Sequence, residues 1–267
     1  MNTFRFGLLA GPRQIGMAAR AGYDYLEMDL NALGALDESG YRAMASEMEQ
    51  NRIFAEVVCA PLPADVPILG PEVSAKRVHA ALDRSFDLAQ ALGAELMLFD
   101  CPAQRALPRR FDPAMAWRQL GNFVRILQSY AADFDLRVAL LPLRRSAAEL
   151  LNYTSEAALM AAMLQLDRVG VAASGYNMAM EAESLPQLQR AGSLLWNMRT
   201  SNVLGNRAPR AGDGEDYAAL FAALREMDYA GRVSMEAPCA DGGAAAEALN
   251  CLREAAGRAP KAPCKAP

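Results

Sequence analysis

The chain has 267 residues, 52% of them hydrophobic, and a formal net charge of −4. That length is close to the ~250 residues of a single (β/α)8 barrel, and the composition excludes a disordered chain. The charge excludes the strongly basic face of a nucleic-acid binder, and no stretch approaches the ~20 apolar residues of a membrane span. Five cysteines, an odd number, suit free thiols in a reducing cytoplasm better than a disulfide framework.

Short apolar runs alternate with helical runs along the chain, the pattern of a parallel sheet with crossover helices. Phe4 to Leu9 reads as the first strand and Arg13 to Arg20 as a short helix. Tyr25 to Leu30 is the second strand, Ser39 to Gln50 a helix, and Ile53 to Cys59 the third strand, stopped by Pro61 and Pro63. A proline-rich loop through Pro71 leads to a long helix from Val73 to Leu92, ended by Gly93 as a C-cap. Glu95 to Asp100 is the fourth strand, and Cys101 to Arg110 an arginine-containing loop. Asp112-Pro113 opens the next helix with proline at its first position. It runs to about Ala132, and Leu136 to Leu141 is the fifth strand. A helix from Ser155 to Leu166, a strand from Arg168 to Ala173 and a helix from Leu185 to Arg190 follow. Ser193 to Thr200 is the seventh strand, Ser201 to Gly214 a polar loop, and Glu215 to Met227 a helix. Arg232 to Glu236 is the eighth strand, and Ala244 to Ala256 the last helix. The expected fold is a single (β/α)8 barrel over residues 1–256, with a loosely held tail over 257–267.

Six segments, in order, resemble the xylose isomerase-like barrels, the superfamily of sugar-phosphate isomerases and epimerases. They are Gly22-Tyr23-Asp24-Tyr25-Leu26-Glu27, Ala91-Leu92-Gly93-Ala94-Glu95-Leu96 and Leu141-Pro142-Leu143-Arg144-Arg145. Ser174-Gly175-Tyr176-Asn177-Met178, Asn206-Arg207 through Asp216-Tyr217, and Tyr229-Ala230-Gly231-Arg232-Val233-Ser234-Met235-Glu236 complete the set. The resemblance implies one divalent metal held by Glu, Asp, His and Glu from strands five to eight. On this chain those positions carry over to Leu141, Ser174, Asn197 and Glu236, and only Glu236 keeps its ligand. The substrate-side histidine after strand six becomes Asn177. Leucine cannot coordinate, and Ser and Asn are poor replacements for carboxylate and imidazole. The one histidine, His79, falls in the helix between strands three and four. No metal and no other cofactor is therefore expected, and a two-base proton shuttle lacks the glutamate that Leu141 replaces.

Several residues remain as candidates for binding. Glu236 can hold a sugar hydroxyl, act as a lone base, or be an inherited carboxylate neutralised by an arginine. Arg199 has the same strand parity as Asn197, so both should point inward, and its guanidinium is expected about 3 Å from Glu236 or from a ligand beside it. Glu27, at the end of strand two, can bind a hydroxyl or brace a neighbour. Arg105, Arg109, Arg110, Arg144, Arg145, Arg207 and Arg210 fall in loops of the same face, where they favour an anionic ligand or are simply solvated. Cys59, Cys101 and Cys239 stand at strand ends and read as small buried residues before they read as a soft-metal site. Gly212-Asp213-Gly214 lacks the following Lys-Ser/Thr of a phosphate loop and reads as a turn. Trp196, of opposite parity to Asn197, should pack on the outer helices.

The functional expectation is a divergent sugar isomerase/epimerase-like protein without classical metal-assisted epimerisation. It would bind a sugar, sugar acid or sugar phosphate at the C-terminal barrel face through Glu27, Asn177, Asn197, Arg199, Arg207 and Glu236. The other reading is a metal-independent isomerase with Glu236 as base and an arginine as electrophile. The nuclease branch of the superfamily needs several His ligands and is set aside. Neither nucleic acid nor membrane is an expected partner, and the oligomeric state is open.

Overall fold

The computed structural model describes residues 4–257. Eight parallel strands, β1 (Arg5–Leu9), β2 (Tyr25–Asp29), β3 (Val57–Cys59), β4 (Leu96–Phe99), β5 (Arg137–Leu140), β6 (Val169–Ser174), β7 (Leu195–Thr200) and β8 (Arg232–Met235), close into a barrel in sequence order. The helices are α1 (Ile15–Ala21), α2 (Leu30–Leu33), α3 (Glu38–Asn51), α4 (Ala75–Ala91), α5 (Pro113–Asp133), α6 (Thr154–Leu164), α7 (Gly175–Met180), α8 (Leu185–Leu188), α9 (Tyr217–Glu226) and α10 (Gly242–Gly257). Closure leaves no sheet edge unpaired. The expected (β/α)8 architecture is thus the observed one. The tail expected over 257–267 lies, beyond Gly257, outside the described residues.

Some boundaries differ. The third strand is only Val57–Cys59, because Ile53 to Glu56 is the approach to the sheet, although its apolar residues Ile53 and Ala55 are buried. Two helices of four and six residues, α2 and α7, follow directly on β2 and β6. Each starts on the side chain that ends its strand: Asp29 accepts from the Asn31 and Ala32 amides, and Ser174 from the Asn177 amide.

The barrel interior is filled in layers. At the N-terminal end Arg232 donates to Glu56 at 2.8 Å and to Glu95 at 2.6 Å, and Arg5 also binds Glu56. Burial alone would lower the Arg232 pKa, and the two glutamates more than reverse this, so it lies above the usual value. Above this ionic plug, Tyr25 passes over β1 to Ser234 of β8, hydroxyl to hydroxyl at 2.9 Å. Gly7 makes room for that ring, since a Cβ there would lie 2.2 Å from it. Leu96, Leu98, Ala139, Leu141 and Ala172 complete an interior cluster separate from the core between sheet and helices. Trp196 packs against this interior cluster rather than on the outer helices, and its ring overlies Gly170. The register of β6 with β7 shifts between Val171 and Ala172, which breaks the simple alternation that placed it outside.

Candidate functional site

Strand register fixes which side chains share a level at the C-terminal mouth. Ser174 pairs with Arg199 across β6 and β7, and the Glu236 amide donates to the Thr200 carbonyl at 3.1 Å. In the same register Arg199 pairs with Ser234 on β8, so Glu236 stands one pleat beyond it and reaches back to Ser174. Asn197 pairs with Ala172 and Arg232, one pleat deeper. Asn197 thus lies two pleats below Glu236 along β8, and of these two inward side chains of β7 Arg199 is the one whose charge acts on Glu236. Asn197 is fully buried, donates to the Ser234 hydroxyl at 3.4 Å, and leaves its own Oδ1 without a hydrogen-bond partner.

Arg199 points inward, as its parity required, and is 5% exposed. Its hydrogen bonds, however, go past Glu236. Nε donates to Glu27 Oε1 at 2.7 Å, and Nη2 reaches Asp100 Oδ2 at 2.9 Å as well as Glu27. In an eight-stranded ring β7 is three places from β2 and three from β4. The guanidinium thus crosses the barrel axis to be held by two carboxylates on its far side. Burial would lower the Arg199 pKa, but Glu27 and Asp100 reverse this and hold it well above the ordinary range. The expected 3 Å contact between Arg199 and Glu236 is replaced by this pairing, because a long side chain anchored on β7 overshoots its nearest neighbour.

Glu236 instead accepts a 2.6 Å hydrogen bond from the Ser174 hydroxyl. The bond links β6 to β8 across β7, above the Arg199 stem. Burial pushes the Glu236 pKa up; the Arg199 charge and the Ser174 hydrogen bond pull it back, and Glu27 and Asp100 add to the rise. The net direction is upward from 4.5. A raised carboxyl binds a proton in the folded state at pH values where the unfolded chain has lost it. Its stabilising contribution is therefore complete below about pH 4.5 and is lost as pH rises through the folded value. Glu236→Gln should gain stability relative to the parent between pH 4.5 and pH 8, read by urea denaturation at both ends. A difference that does not change with pH would remove the raised pKa.

The remaining candidates are scattered. Asn177 is buried; its amide nitrogen donates to the Pro142 carbonyl at 3.3 Å, which ties α7 to the segment after β5. Arg207 is exposed and donates to Leu204 in its own loop. Together with Arg210 it borders a cavity of about 220 Å³ whose wall also holds Asp213 and Glu247. Arg144 lies over the Tyr176 ring, and Arg145 over Tyr153 and beside Glu181. Arg109 and Arg110 are exposed, and Arg105 is completely buried. These arginines are therefore spread over separate contacts, with Arg109, Arg110 and Arg207 exposed. Cys59 and Cys101 are buried thiols whose pKa values burial raises; Cys239 is half-buried. His79 lies on α4 beside the Tyr130 hydroxyl at 3.1 Å.

The residue that sequence reasoning passed over is Asp100. It follows β4 directly with the parity of Leu96 and Leu98, both interior residues, and that parity was the available signal. With Asp29, Cys59 and Leu9 it lines a cavity of about 290 Å³ at the C-terminal ends of β1 to β4.

A divalent cation does not fit the implied ligand set. Leu141 offers hydrocarbon, the Ser174 hydroxyl is spent on Glu236, and the strand-seven position at this level brings a fixed positive charge. Among the described residues no group of three or more His, Cys, Asp or Glu is arranged to hold a metal ion.

A family model described as xylose isomerase-like TIM barrel matches residues 15–255. No curated protein matches by sequence. Among solved structures, a D-psicose 3-epimerase from Clostridium cellulolyticum H10, crystallised with D-tagatose, superposes with a TM-score of 0.79 at 18% identity over 96% of this chain and 99% of that one. A 3-keto-D-glucoside 4-epimerase from E. coli gives 0.77 at 20% identity over 94% and 100%. A family 2 AP endonuclease from Brucella melitensis gives 0.72 at 15% over 89% and 93%. At these identities the likeness is one of fold. Among the described residues no helix is long and apolar enough to cross a membrane.

Proposed function

Because the chain belongs to the xylose isomerase-like TIM barrel family, we propose that it binds a neutral sugar at the C-terminal mouth of its barrel and does not perform metal-assisted epimerisation. One observation carries this reading. Arg199 stands in register with Ser174, one pleat below Glu236, and is already shared between Glu27 and Asp100. Its charge occupies the centre of the mouth, so the layer has no use for a divalent ion. It is also compensated by those two carboxylates, so Arg199 is not available to a phosphate or a sugar acid. Asp29 and Asp100 give the adjoining cavity hydroxyl acceptors, and Leu9, Ala10 and Leu33 give it an apolar wall. A sugar presents that combination of hydroxyls and C–H faces, and D-psicose 3-epimerase structures were solved in the presence of D-fructose and with D-tagatose.

The test is a thermal-shift series with ketohexoses and their phosphates, with and without chelator. A binder gains RT ln(1 + [L]/Kd), about 2.7 kcal/mol at a hundredfold excess over Kd. Neutral ketohexoses should raise Tm, chelator should not change the rise, and Leu9→Trp, which fills the cavity, should abolish it. A preference for the phosphates, or a shift that chelator removes, would overturn the proposal.

The second reading is a metal-independent isomerase. Its support is the raised pKa of Glu236 with the Arg199 charge close by. Glu236 would take a proton from the hydroxyl-bearing carbon beside the sugar carbonyl and return it to the carbonyl carbon, while the proton of that hydroxyl passes to the former carbonyl oxygen. The oxygen that gains charge would face the guanidinium. Solvent deuterium incorporation that survives chelator and vanishes in Glu236→Gln would place this reading first.

A further inference from the structure

Helix α10 follows β8 and runs from the mouth of the barrel towards its opposite end. Along it lies a groove of about 530 Å³, closed on the other side by the start of α9 and the loop before it. Ala246 and Ala255 of α10 and Tyr217 of α9 give the groove small and apolar walls. Four acids line it, Glu215 and Asp216 before α9 and Glu247 and Glu254 on α10, against one base, Arg210. Asp216 caps α9 through the Ala219 amide, and Glu215 is hydrogen-bonded by the Val203 backbone. Burial nevertheless holds the Glu215 pKa above the usual carboxylate value, so these local donors leave its charge under-compensated. Glu247 and Glu254 are exposed and seven residues apart, on one stripe of α10 with Cys251 between them.

The chain itself supplies a segment of the opposite sign. Residues 258–267 follow α10 and carry Arg258, Lys261 and Lys265 with no acid. They leave from Gly257, the end of the helix that walls the groove. At 1.5 Å per residue the groove runs about 21 Å from Gly257 back to Gly243, and ten extended residues span about 33 Å. The spacing of charge also agrees. Glu254 and Glu247 are about 10.5 Å apart along the helix axis, and Lys261 and Lys265 about 12–14 Å apart in an extended chain. Residues 258–260, which include Pro260, are left for the reversal.

We infer that residues 258–267 turn back along α10 and dock in this groove, Lys261 against Glu254 and Lys265 against Glu247. The register sets Cys264 within a helical turn of Cys251. It also brings the segment to Arg210 and Gly212, so docking fastens α10 to the loop after β7, one wall of the mouth. The groove lies outside the barrel, and its occupation does not depend on what the mouth binds.

The test uses the full chain with oxidised glutathione as a probe of proximity. Cys251 and Cys264 lose two protons and two electrons to it, forming one disulfide and releasing two molecules of glutathione. Peptide mass mapping over time should show a Cys251–Cys264 bond within one chain forming first in the wild type. Glu247→Lys with Glu254→Lys should slow that bond by at least about tenfold. Lower thiol reactivity would not explain the slowing, because lysines beside Cys251 favour the thiolate. Adding Lys261→Glu and Lys265→Glu to that variant should restore the rate. About 1 M salt, where the Debye length is about 3 Å, should slow the wild type. Equal rates in the wild type and the reversed variant, no recovery in the fourfold variant, or preferential pairing of Cys264 with the half-buried Cys239 would overturn the inference. A disulfide that joins two chains would give the groove to another copy's segment and equally overturn it.

Discussion

Replacing Arg199 by methionine should destabilise the protein by about 3–5 kcal/mol, the cost of breaking a buried ion pair from one side. Methionine keeps most of the apolar stem, so the loss is chiefly that of the charge. Glu27 is 0% exposed and has one oxygen already without a partner, Oε2. Without the guanidinium both of its oxygens, and Asp100 Oδ2, would face the barrel interior unpaired. A double-mutant cycle then separates the observed pairing from the one that strand neighbours suggest. Arg199→Met with Glu27→Gln should recover a large part of the loss, because the stranded carboxylate goes with its partner. Arg199→Met with Glu236→Gln should recover little, because Glu236 takes its hydrogen bond from Ser174. Urea denaturation of the four proteins in each cycle measures both couplings. A larger coupling to Glu236 than to Glu27 would undo the assignment of the Arg199 partners, and with it the argument against anionic ligands.

That cycle also marks where the sequence stops being informative. The barrel was legible because strands buried on both faces read as apolar runs, as Leu96 to Phe99 does, and because Gly93, Pro61 and Pro142 punctuate them. Parity correctly turned Arg199 inward, since side-chain alternation is local to one strand. Height in the barrel is not local. Which inward side chain of β7 lies nearest Glu236 depends on the stagger between β6, β7 and β8, and the irregularity at Val171 and Ala172 alters that stagger. The contact across the axis is further out of reach, because it depends on the length of the arginine and on what the opposite strands leave open. The short helices α2 and α7 are too brief to show a helical period and were invisible for that reason. Arg105 shows the opposite error: a polar residue in a polar loop was read as surface, and composition carries no record of a loop that folds back over its own strand ends.

Arg105 provides the other large effect. It is completely buried, lies 5.1 Å from the Phe99 ring centroid, and donates to the carbonyls of Cys101 at 3.3 Å, Leu141 at 2.8 Å and Leu151 at 3.4 Å. These carbonyls belong to three separate stretches: the loop after β4, the end of β5 and the approach to α6. One guanidinium therefore fastens the wall of the mouth behind Leu141. Its charge is bought dearly, since burial pushes the Arg105 pKa down to about 10 and Nη2 has no hydrogen-bond partner. Two effects oppose each other on removal: the desolvated charge is relieved, and the Cys101 and Leu141 carbonyls lose the guanidinium donor at about 1–3 kcal/mol each, while the Leu151 carbonyl keeps the Leu143 amide. Arg105→Ala adds a cavity and should lose at least about 3 kcal/mol, in the range of large core truncations. Arg105→Met refills much of the volume and relieves the charge, so it should fall between alanine and the parent. Hydrogen exchange should then show faster opening at the Leu143 amide, which donates to the Leu151 carbonyl, in both variants. If methionine proves as stable as arginine and Leu143 exchanges no faster, the arginine is not what holds this wall, and the loop between β5 and α6 must be fixed by Asn152, whose side chain binds the Leu143 and Ala148 carbonyls.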